Sequence, residues 1–278
     1  MTTNDAIHFG PRLVGTPTGK LRAAMLLRPA ASIEAAGALP GEPGAVYARA
    51  LEQHEILRKT LAYFGVETIV VEPAGEDPWE VAVCDAAVAF EDGAVVMRPS
   101  AMSRRAEADR IEAEFARIDV PIAGHIAPPG LMDGSDVLLI GRTAFIGVGS
   151  RGNALGRAGF GAVARAHGYN VIEVDLAPDV SSLRSVASAV ARDTVVIAPD
   201  KLDAKKFAGF KTIELDRGEE RAAGVICLGE HHAIADVRYR SSLARMRKAG
   251  IVVEGIDLYD FEKVGMTPSL LVLALRRD

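Results

Sequence analysis

The chain has 278 residues, of which 49% are hydrophobic and 25% are charged, and its formal net charge is −5. These values are ordinary for a globular protein and argue against nonspecific nucleic-acid binding, which draws on a basic surface. The longest apolar run, near residues 270–275, is too short to span a membrane, and two cysteines do not make a disulfide scaffold. We therefore expect neither nucleic acid nor a membrane as a partner.

The N-terminal segment Met1–Gly10 includes Asn4, Asp5 and His8 and lacks the hydrophobic core of a secretion signal. Together with the low cysteine count, this composition predicts a cytoplasmic protein. No linker rich in Pro, Gly or Ser divides the chain, so we predict one domain over residues 1–278.

In chain order, the first apolar segments predict a strand, a helix and a second strand, at Arg22–Leu27, Tyr47–Phe64 and Val66–Val71. Four pairs of strands joined by tight turns follow, with the turns near residues 92, 141, 192 and 229. The first of these pairs is predicted at Val81–Phe90 and Ala94–Met97. Helices follow three of the turns, at Arg104–Arg117, Asn153–His167 and Ser241–Lys248. Each helix precedes a short strand, and a last apolar strand is predicted at Leu270–Leu275.

The predicted unit is therefore strand, strand, helix, strand, and it recurs along the chain. Such a period indicates a repeat architecture. Pairing the C-terminal strand with the N-terminal one supplies a fifth unit and removes the exposed edges between first and last. The sequence thus predicts the α/β class, as a five-fold pseudosymmetric α/β propeller of repeated ββαβ units around a central cleft.

The most informative stretch is 131–153, which reads as an acidic loop, a hairpin and an arginine before a helix. The loop carries Asp133 and Asp136, and Arg151 follows the second strand. Loop mouths of rigid sheets are where binding groups usually collect. Each residue also has a structural alternative, because Asp136 can tie the loop backbone and Arg151 can cap a neighbouring helix.

Several short motifs keep one order and spacing over nearly the whole chain. They are Leu26-Leu27-Arg28-Pro29, Gln53-His54, Arg98-Pro99, Ser103-Arg104-Arg105, Asp133-Gly134-Ser135-Asp136, Ser150-Arg151-Gly152-Asn153 and Gly265-Met266-Thr267. In these motifs the chain resembles the pentein, or arginine-deiminase, superfamily, and within it the bacterial dimethylarginine dimethylaminohydrolases. The resemblance implies a cysteine nucleophile, a histidine acid/base, an acid that orients the histidine, and carboxylates that grip a guanidinium.

The chain departs from that pattern at the reacting positions. Pro268 follows Gly265-Met266-Thr267, where the family has its nucleophile, and Ser182 replaces the histidine. The guanidinium-binding Glu-Asp pair corresponds to Cys84-Asp85, and an upstream aspartate falls at Trp79. By resemblance, Asp133 matches the orienting acid, and Arg104 and Arg151 match the residues that hold the substrate's α-carboxylate. We therefore predict that the chain does not hydrolyse arginine or methylarginines by the family's route.

These positions form the predicted site, expected to converge on one cleft beneath a lid formed by Ala30–Gly44. The reacting groups are predicted to be Cys84, Asp85, Asp133 and Ser182, and the substrate-binding groups to be Arg104, Arg151, Trp79 and Thr267. Cys84 is the candidate nucleophile, although a cysteine in such an apolar run is more often a small buried side chain. Alternation along a strand would place it on the opposite face from Asp85.

Two function classes follow from this site. The first is an enzyme, a hydrolase or lyase, that acts by changed chemistry at a C–N bond of a small amino-acid-like, carboxylate-bearing molecule. The second is a non-catalytic pentein that binds an amino acid or a protein partner. We expect no cofactor and no metal, because His231 and His232 are adjacent on a strand and face opposite ways. A homodimer is left open.

Overall fold

The computed structural model describes residues 13–75 and 77–278. The segment Met1–Gly10, on which the prediction about secretion rests, lies outside the described residues. Within the described ranges, fifteen strands form five three-stranded sheets. In each sheet the first and middle strands are antiparallel, and the middle and third strands are parallel. This arrangement confirms the predicted five-fold α/β repeat.

The strands, in chain order, are β1 Leu21–Leu27, β2 Glu67–Val71, β3 Ala87–Ala89, β4 Ala94–Val96, β5 Ile122–His125, β6 Val137–Ile140, β7 Thr143–Val148, β8 Asn170–Asp175, β9 Ala187–Ala191, β10 Thr194–Ile197, β11 Lys211–Glu214, β12 Ile226–Gly229, β13 His232–Asp236, β14 Val252–Ile256 and β15 Leu273–Arg277. The α-helices are α1 Tyr47–Tyr63, α2 Ala106–Arg117, α3 Ala154–Ala166, α4 Leu183–Val186, α5 Arg240–Lys248 and α6 Tyr259–Glu262. Within the described residues, no helix is both long and apolar enough to cross a bilayer.

The terminal strands close the repeat. β15 pairs antiparallel with β1, with Leu21 opposite Arg277 and Met25 opposite Leu273, and β2 completes the sheet. The prediction that both ends of the chain share one blade is therefore confirmed. The innermost strands of neighbouring sheets also pack side by side, as β15 does with β3, β6 with β9, and β9 with β12.

The helices cover the sheets through apolar faces at helical spacing. In α2, the buried side chains include Ile111 and Phe115, which lie four residues apart on one face. Helix α3 begins at its predicted cap, because the side chain of Asn153 accepts a hydrogen bond from the backbone N–H of Gly156 at 2.8 Å. Gly168, with φ of 78°, ends the same segment in a left-handed conformation that glycine adopts without strain.

Two predicted elements differ from the structure. Only Ala87–Ala89 of the predicted strand Val81–Phe90 is extended, and Val83–Asp85 forms a 3₁₀ turn. The predicted strand Leu270–Leu275 begins at Leu273, because Pro268 opens a 3₁₀ turn over Pro268–Leu271. The unit after the turn near residue 192 has a 3₁₀ turn, Ala204–Phe207, where the other units have a helix.

Candidate functional site

A cavity of about 310 Å³ opens where loops of several units meet. We call it the site cavity, and its lining residues are Asp77, Trp79, Ala101, Arg104, Asp133, Ser150, Arg151 and Ser181. Four predicted site residues thus line one cavity: Trp79, Arg104, Asp133 and Arg151. Of the described residues that line it, none is a cysteine or a histidine.

Asp85 lies beneath this cavity and joins its two arginines. Its Oδ2 accepts hydrogen bonds from Nη1 of Arg104 at 2.6 Å and from Nη1 of Arg151 at 3.1 Å. Its Oδ1 accepts from the backbone N–H of Ser135 at 3.3 Å. Burial opposes ionisation of Asp85, but the charges of Arg151 and Arg104 outweigh it and hold the pKa of this carboxyl below its ordinary value.

Asp133 is the second carboxylate of the network and the one that reaches the cavity. Its Oδ2 accepts from Nη1 of Arg151 at 3.0 Å and from the hydroxyl of Ser100 at 3.1 Å, and its Oδ1 accepts from the backbone N–H of Ser100 at 3.0 Å. Burial, and then the negative charge of Asp85, raise the pKa of Asp133 above its ordinary value. Two neighbouring carboxyls are thus shifted in opposite directions, as in sites that separate an acid from a carboxylate.

Arg104 lines the cavity but points its donors into the protein. It is 3% exposed, and its Nε and Nη2 bind the two oxygens of Glu107, each at 2.8 Å. Nη2 also donates to the backbone oxygen of Ala82 at 3.3 Å. With Asp85 on Nη1, each terminal nitrogen already has a partner within the chain. The predicted role of Arg104 as a ligand anchor is therefore not supported by this geometry.

Arg151 keeps one edge of its guanidinium for the cavity. Nε donates to the backbone oxygen of Ser181 at 2.7 Å, and Nη1 is shared between Asp85 and Asp133. Within the described part of the chain, Nη2 has no hydrogen-bond partner. The ring of Trp79 lies beside it, with Cζ of Arg151 6.0 Å from the ring centroid.

Trp79 is itself held by Asp77. The backbone N–H of Trp79 donates to Oδ1 of Asp77 at 2.8 Å, and the hydroxyl of Ser103 donates to Oδ2 at 2.6 Å. The predicted lid, Ala30–Gly44, contacts this loop through Ser32, whose hydroxyl lies 3.5 Å from the backbone oxygen of Asp77. Among the described residues, however, none of segment 30–44 lines the site cavity.

Cys84 does not reach the site cavity, although the adjacent Asp85 binds the two arginines that line it. Its side chain is fully buried, packs with Ala82 and Leu270, and does not line the site cavity. Cys84 and Asp85 lie in a 3₁₀ turn and not in a strand, so the predicted strand alternation between them is wrong. Burial is the main cause that raises the pKa of the Cys84 thiol to about 12. A thiol with that pKa is protonated at neutral pH, so this geometry does not support the prediction of a nucleophile.

Ser182 and Thr267 are also fully buried and do not line the site cavity. Thr267 Oγ1 lies 3.1 Å from Oγ of Ser269, within the turn that Pro268 opens. In the described structure, the hydroxyl of Ser182 has no hydrogen-bond partner. The structure therefore brings together the predicted carboxylate-holding and acidic groups and leaves Ser182 and Thr267 behind the cavity wall.

Asp136 connects two neighbouring blades through a hydrogen bond, whereas the sequence predicted that it binds the backbone of its own loop. Its Oδ1 accepts from the backbone N–H of Leu183 at the start of α4, at 3.0 Å. Burial raises the pKa of Asp136 to about 7.

Sequence reasoning missed Glu107, Asp77, Ser100 and Ser181. Glu107 carried a local signal, since a Glu three residues after an Arg on a helix face is a common ion pair. The contacts of Ser100 and Ser181 connect residues 30 or more positions apart, and no local pattern predicts them.

Comparison with known proteins gives the following similarities, and no protein-family model matches the chain. N(G),N(G)-dimethylarginine dimethylaminohydrolase of Streptomyces coelicolor is 32% identical over 228 residues, 82% of this chain and 86% of that protein. The Pseudomonas aeruginosa protein of the same name is 27% identical over 218 residues, 78% of this chain and 85% of that protein.

Solved structures agree with the sequence relatives. The P. aeruginosa enzyme, as a cysteine-to-serine variant complexed with citrulline, has a TM-score of 0.83 and 25% identity, covering 91% of this chain and 99% of the other. The N-terminal domain of ArgZ, a cyanobacterial arginine dihydrolase bound to substrate, has a TM-score of 0.81 at 17% identity, covering 92% and 98%. The second likeness concerns the fold alone.

Proposed function

The chain belongs to the dimethylarginine dimethylaminohydrolase family, and on that premise we propose that it binds a small amino-acid-like molecule by its carboxylate, without the cysteine hydrolysis of its relatives. The proposal treats residues 1–278 as a single pentein-type domain. The observation that carries it is the position of Arg151, fixed on one side by Asp85 and Asp133 and open to the cavity on the other.

The anchor for the ligand is the free Nη2 edge of Arg151. Three acceptors hold Nε and Nη1, so the guanidinium plane is fixed before a ligand arrives, and less rotamer entropy is lost on binding. A carboxylate at Nη2 makes a charge-assisted hydrogen bond, and the ring of Trp79 supplies an apolar wall beside it. The P. aeruginosa relative is complexed with citrulline, which supports an amino-acid-like ligand.

The guanidinium position of the family is already occupied by the chain's own side chains. By resemblance, Asp85 is one of the carboxylates that grip a substrate guanidinium. Here the same oxygen of Asp85 binds Arg104 and Arg151. A ligand guanidinium would have to displace one of them from a fully buried carboxylate, so we expect neutral ureido or amide amino acids to bind better than arginine.

A second candidate function is hydrolysis of a C–N bond by a water molecule held at Asp133. Asp133 lines the cavity, and its raised pKa makes it a better proton acceptor than an ordinary aspartate. In this reaction Asp133 takes a proton as the water oxygen bonds to the substrate carbon, and the proton then leaves with the departing amine. The reaction requires neither Cys84 nor Ser182, both of which are buried.

Calorimetric titration with citrulline, glutamine, arginine and N(G),N(G)-dimethylarginine tests the binding proposal. We expect citrulline or glutamine to bind more tightly than arginine. Arg151→Gln should weaken that binding about 10- to 100-fold, because one charge-assisted hydrogen bond contributes about 1.5–3 kcal/mol. The matched control is Arg217→Gln, which removes an exposed arginine that pairs with Asp200. Equal affinity for wild type and Arg151→Gln would contradict the proposal.

Amine release from the same compounds separates the two candidates. No release by wild type supports pure binding. Release that Asp133→Asn abolishes and Cys84→Ala leaves intact supports the hydrolytic water. Release that Cys84→Ala abolishes would contradict both and restore the thiol as nucleophile.

A further inference from the structure

A second cavity lies between the innermost strands of the five sheets. Its lining includes residues of β3, β6, β9, β12 and β15, so every blade contributes. We call it the axial cavity; its volume is about 110 Å³, and it shares no lining residue with the site cavity. Arg184 and Arg277 lie in its wall together with Ser188 and Cys227.

The two arginines of the axial cavity are bonded only to backbone oxygens. Arg277, 9% exposed, donates from Nη1 to Gly19 at 2.9 Å and from Nη2 to Cys227 at 2.8 Å. Arg184, half-buried, donates from Nη2 to the backbone oxygen of Ser269 at 2.6 Å. Among the described residues, neither arginine forms an ion pair with an aspartate or glutamate. Arg104, which is buried at the site cavity, by contrast has two carboxylate partners, Asp85 and Glu107.

Within the part of the chain that the structure describes, this arrangement places no counter-charge beside the two guanidinium groups. Burial lowers the pKa of Arg277, and the charge of Arg184 lowers it further. Arginine nevertheless stays protonated in proteins, and a buried charge is costly unless it is paired. Carbonyl oxygens satisfy hydrogen bonds but carry no net charge. An acceptor with a negative charge is therefore the missing partner.

We propose that the axial cavity binds a small inorganic anion between Arg184 and Arg277. The guanidinium groups supply the charge, and the hydroxyl of Ser188 supplies a further donor. Its oxygen accepts from the backbone N–H of Val225 at 3.1 Å, which leaves its hydrogen for the cavity. No lining residue of the axial cavity is acidic among those described.

The cavity limits the size of the ligand. A volume of about 110 Å³ accommodates chloride, bromide or a phosphate-like oxyanion, and the bulkier gluconate serves as the comparison anion. Halide and oxyanion share the chemistry of the site, since both are acceptors with a negative charge. The anion binds the folded chain only, so above its dissociation constant it raises the melting temperature with the logarithm of its concentration.

The test compares melting temperatures in sodium chloride, bromide and phosphate with those in sodium gluconate at constant ionic strength. We expect a concentration-dependent rise with at least one small anion and none with gluconate. Arg184→Gln should increase the anion concentration needed for a given rise at least tenfold. Arg217→Gln, which alters an exposed pair, should respond as wild type does. An equal melting temperature in all salts, or an unchanged response of Arg184→Gln, would overturn the proposal.

Crystals of the wild-type chain soaked in bromide give a second measurement that does not depend on a variant folding. An anomalous peak within hydrogen-bonding distance of Arg184 and Arg277 supports the site. Crystals soaked separately in bromide and in phosphate that show no bound anion there overturn the proposal, whatever the melting curves show.

Discussion

Replacing Asp85 by asparagine should destabilise the fold strongly, because this side chain carries the counter-charge of the site. Asp85 is fully buried and accepts from Arg104 at 2.6 Å and from Arg151 at 3.1 Å. The Asp85→Asn substitution would keep the shape of the side chain but bring an N–H₂ group toward guanidinium donors. Breaking a buried ion pair from one side costs about 3–5 kcal/mol, a large part of the 5–15 kcal/mol by which domains are stable.

Urea unfolding followed by circular dichroism measures this loss as a lower midpoint at unchanged slope. The matched control is Asp200→Asn, which removes a carboxylate at a similar distance, 2.6 Å, from an exposed arginine, Arg217. Its midpoint should stay at the wild-type value, because solvent screens that pair. A loss below about 1 kcal/mol for Asp85→Asn would refute the argument that Asp85 balances the two arginines.

Three further predictions concern single positions. The folded pKa of Asp136 is raised to about 7, so between about pH 4 and pH 7 the folded state holds a proton that the unfolded state releases. Wild type should therefore lose stability, on the order of 4 kcal/mol, as pH rises from about 4 to about 7. Asp136→Asn should abolish this loss. pH-resolved urea unfolding of both proteins checks it, and parallel pH curves would contradict it. Cys84 should resist iodoacetamide at pH 8 until urea unfolds the chain, as mass spectrometry of the labelled peptide will show; rapid native labelling would contradict its burial. Gly134→Ala should lower the unfolding free energy by about 1–3 kcal/mol, because the new Cβ would lie 2.1 Å from the backbone oxygen of Cys84. The control Gly209→Ala, whose Cβ would have no atom within 4 Å, should leave it unchanged. Equal melting temperatures of the two variants would refute this.

The fold was predictable because its signals are local and repeated. Asp92-Gly93 and Gly141-Arg142 mark hairpin turns, and the helices that follow show apolar spacing of three to four residues. Propagating the repeat to the chain ends was enough to pair β1 with β15. The unit around β10 was less predictable, because its connection to β11 is a short 3₁₀ turn without helical periodicity.

The site was predictable by residue type and less so by side-chain direction. The family resemblance predicted that Trp79, Asp133 and Arg151 share one cleft, and all three line the site cavity. The same resemblance carried no information on the turn at Val83–Asp85, which replaces the expected strand alternation and buries Cys84. That turn depends on Gly134, from a distant loop, where any side chain would meet the oxygen of Cys84.

The charged side chains at the site form one network of ion pairs. Asp85 forms ion pairs with both Arg104 and Arg151. Glu107 also pairs with Arg104, and Asp133 also pairs with Arg151. Such a network is complete without a ligand guanidinium. A thiolate at Cys84 would add negative charge in a fully buried position, and its raised pKa expresses that cost. The burial of Cys84 and the pairing of Asp85 with two internal arginines therefore act in one direction: both agree with the proposed ligand, which has a neutral side chain and a carboxylate held at Arg151.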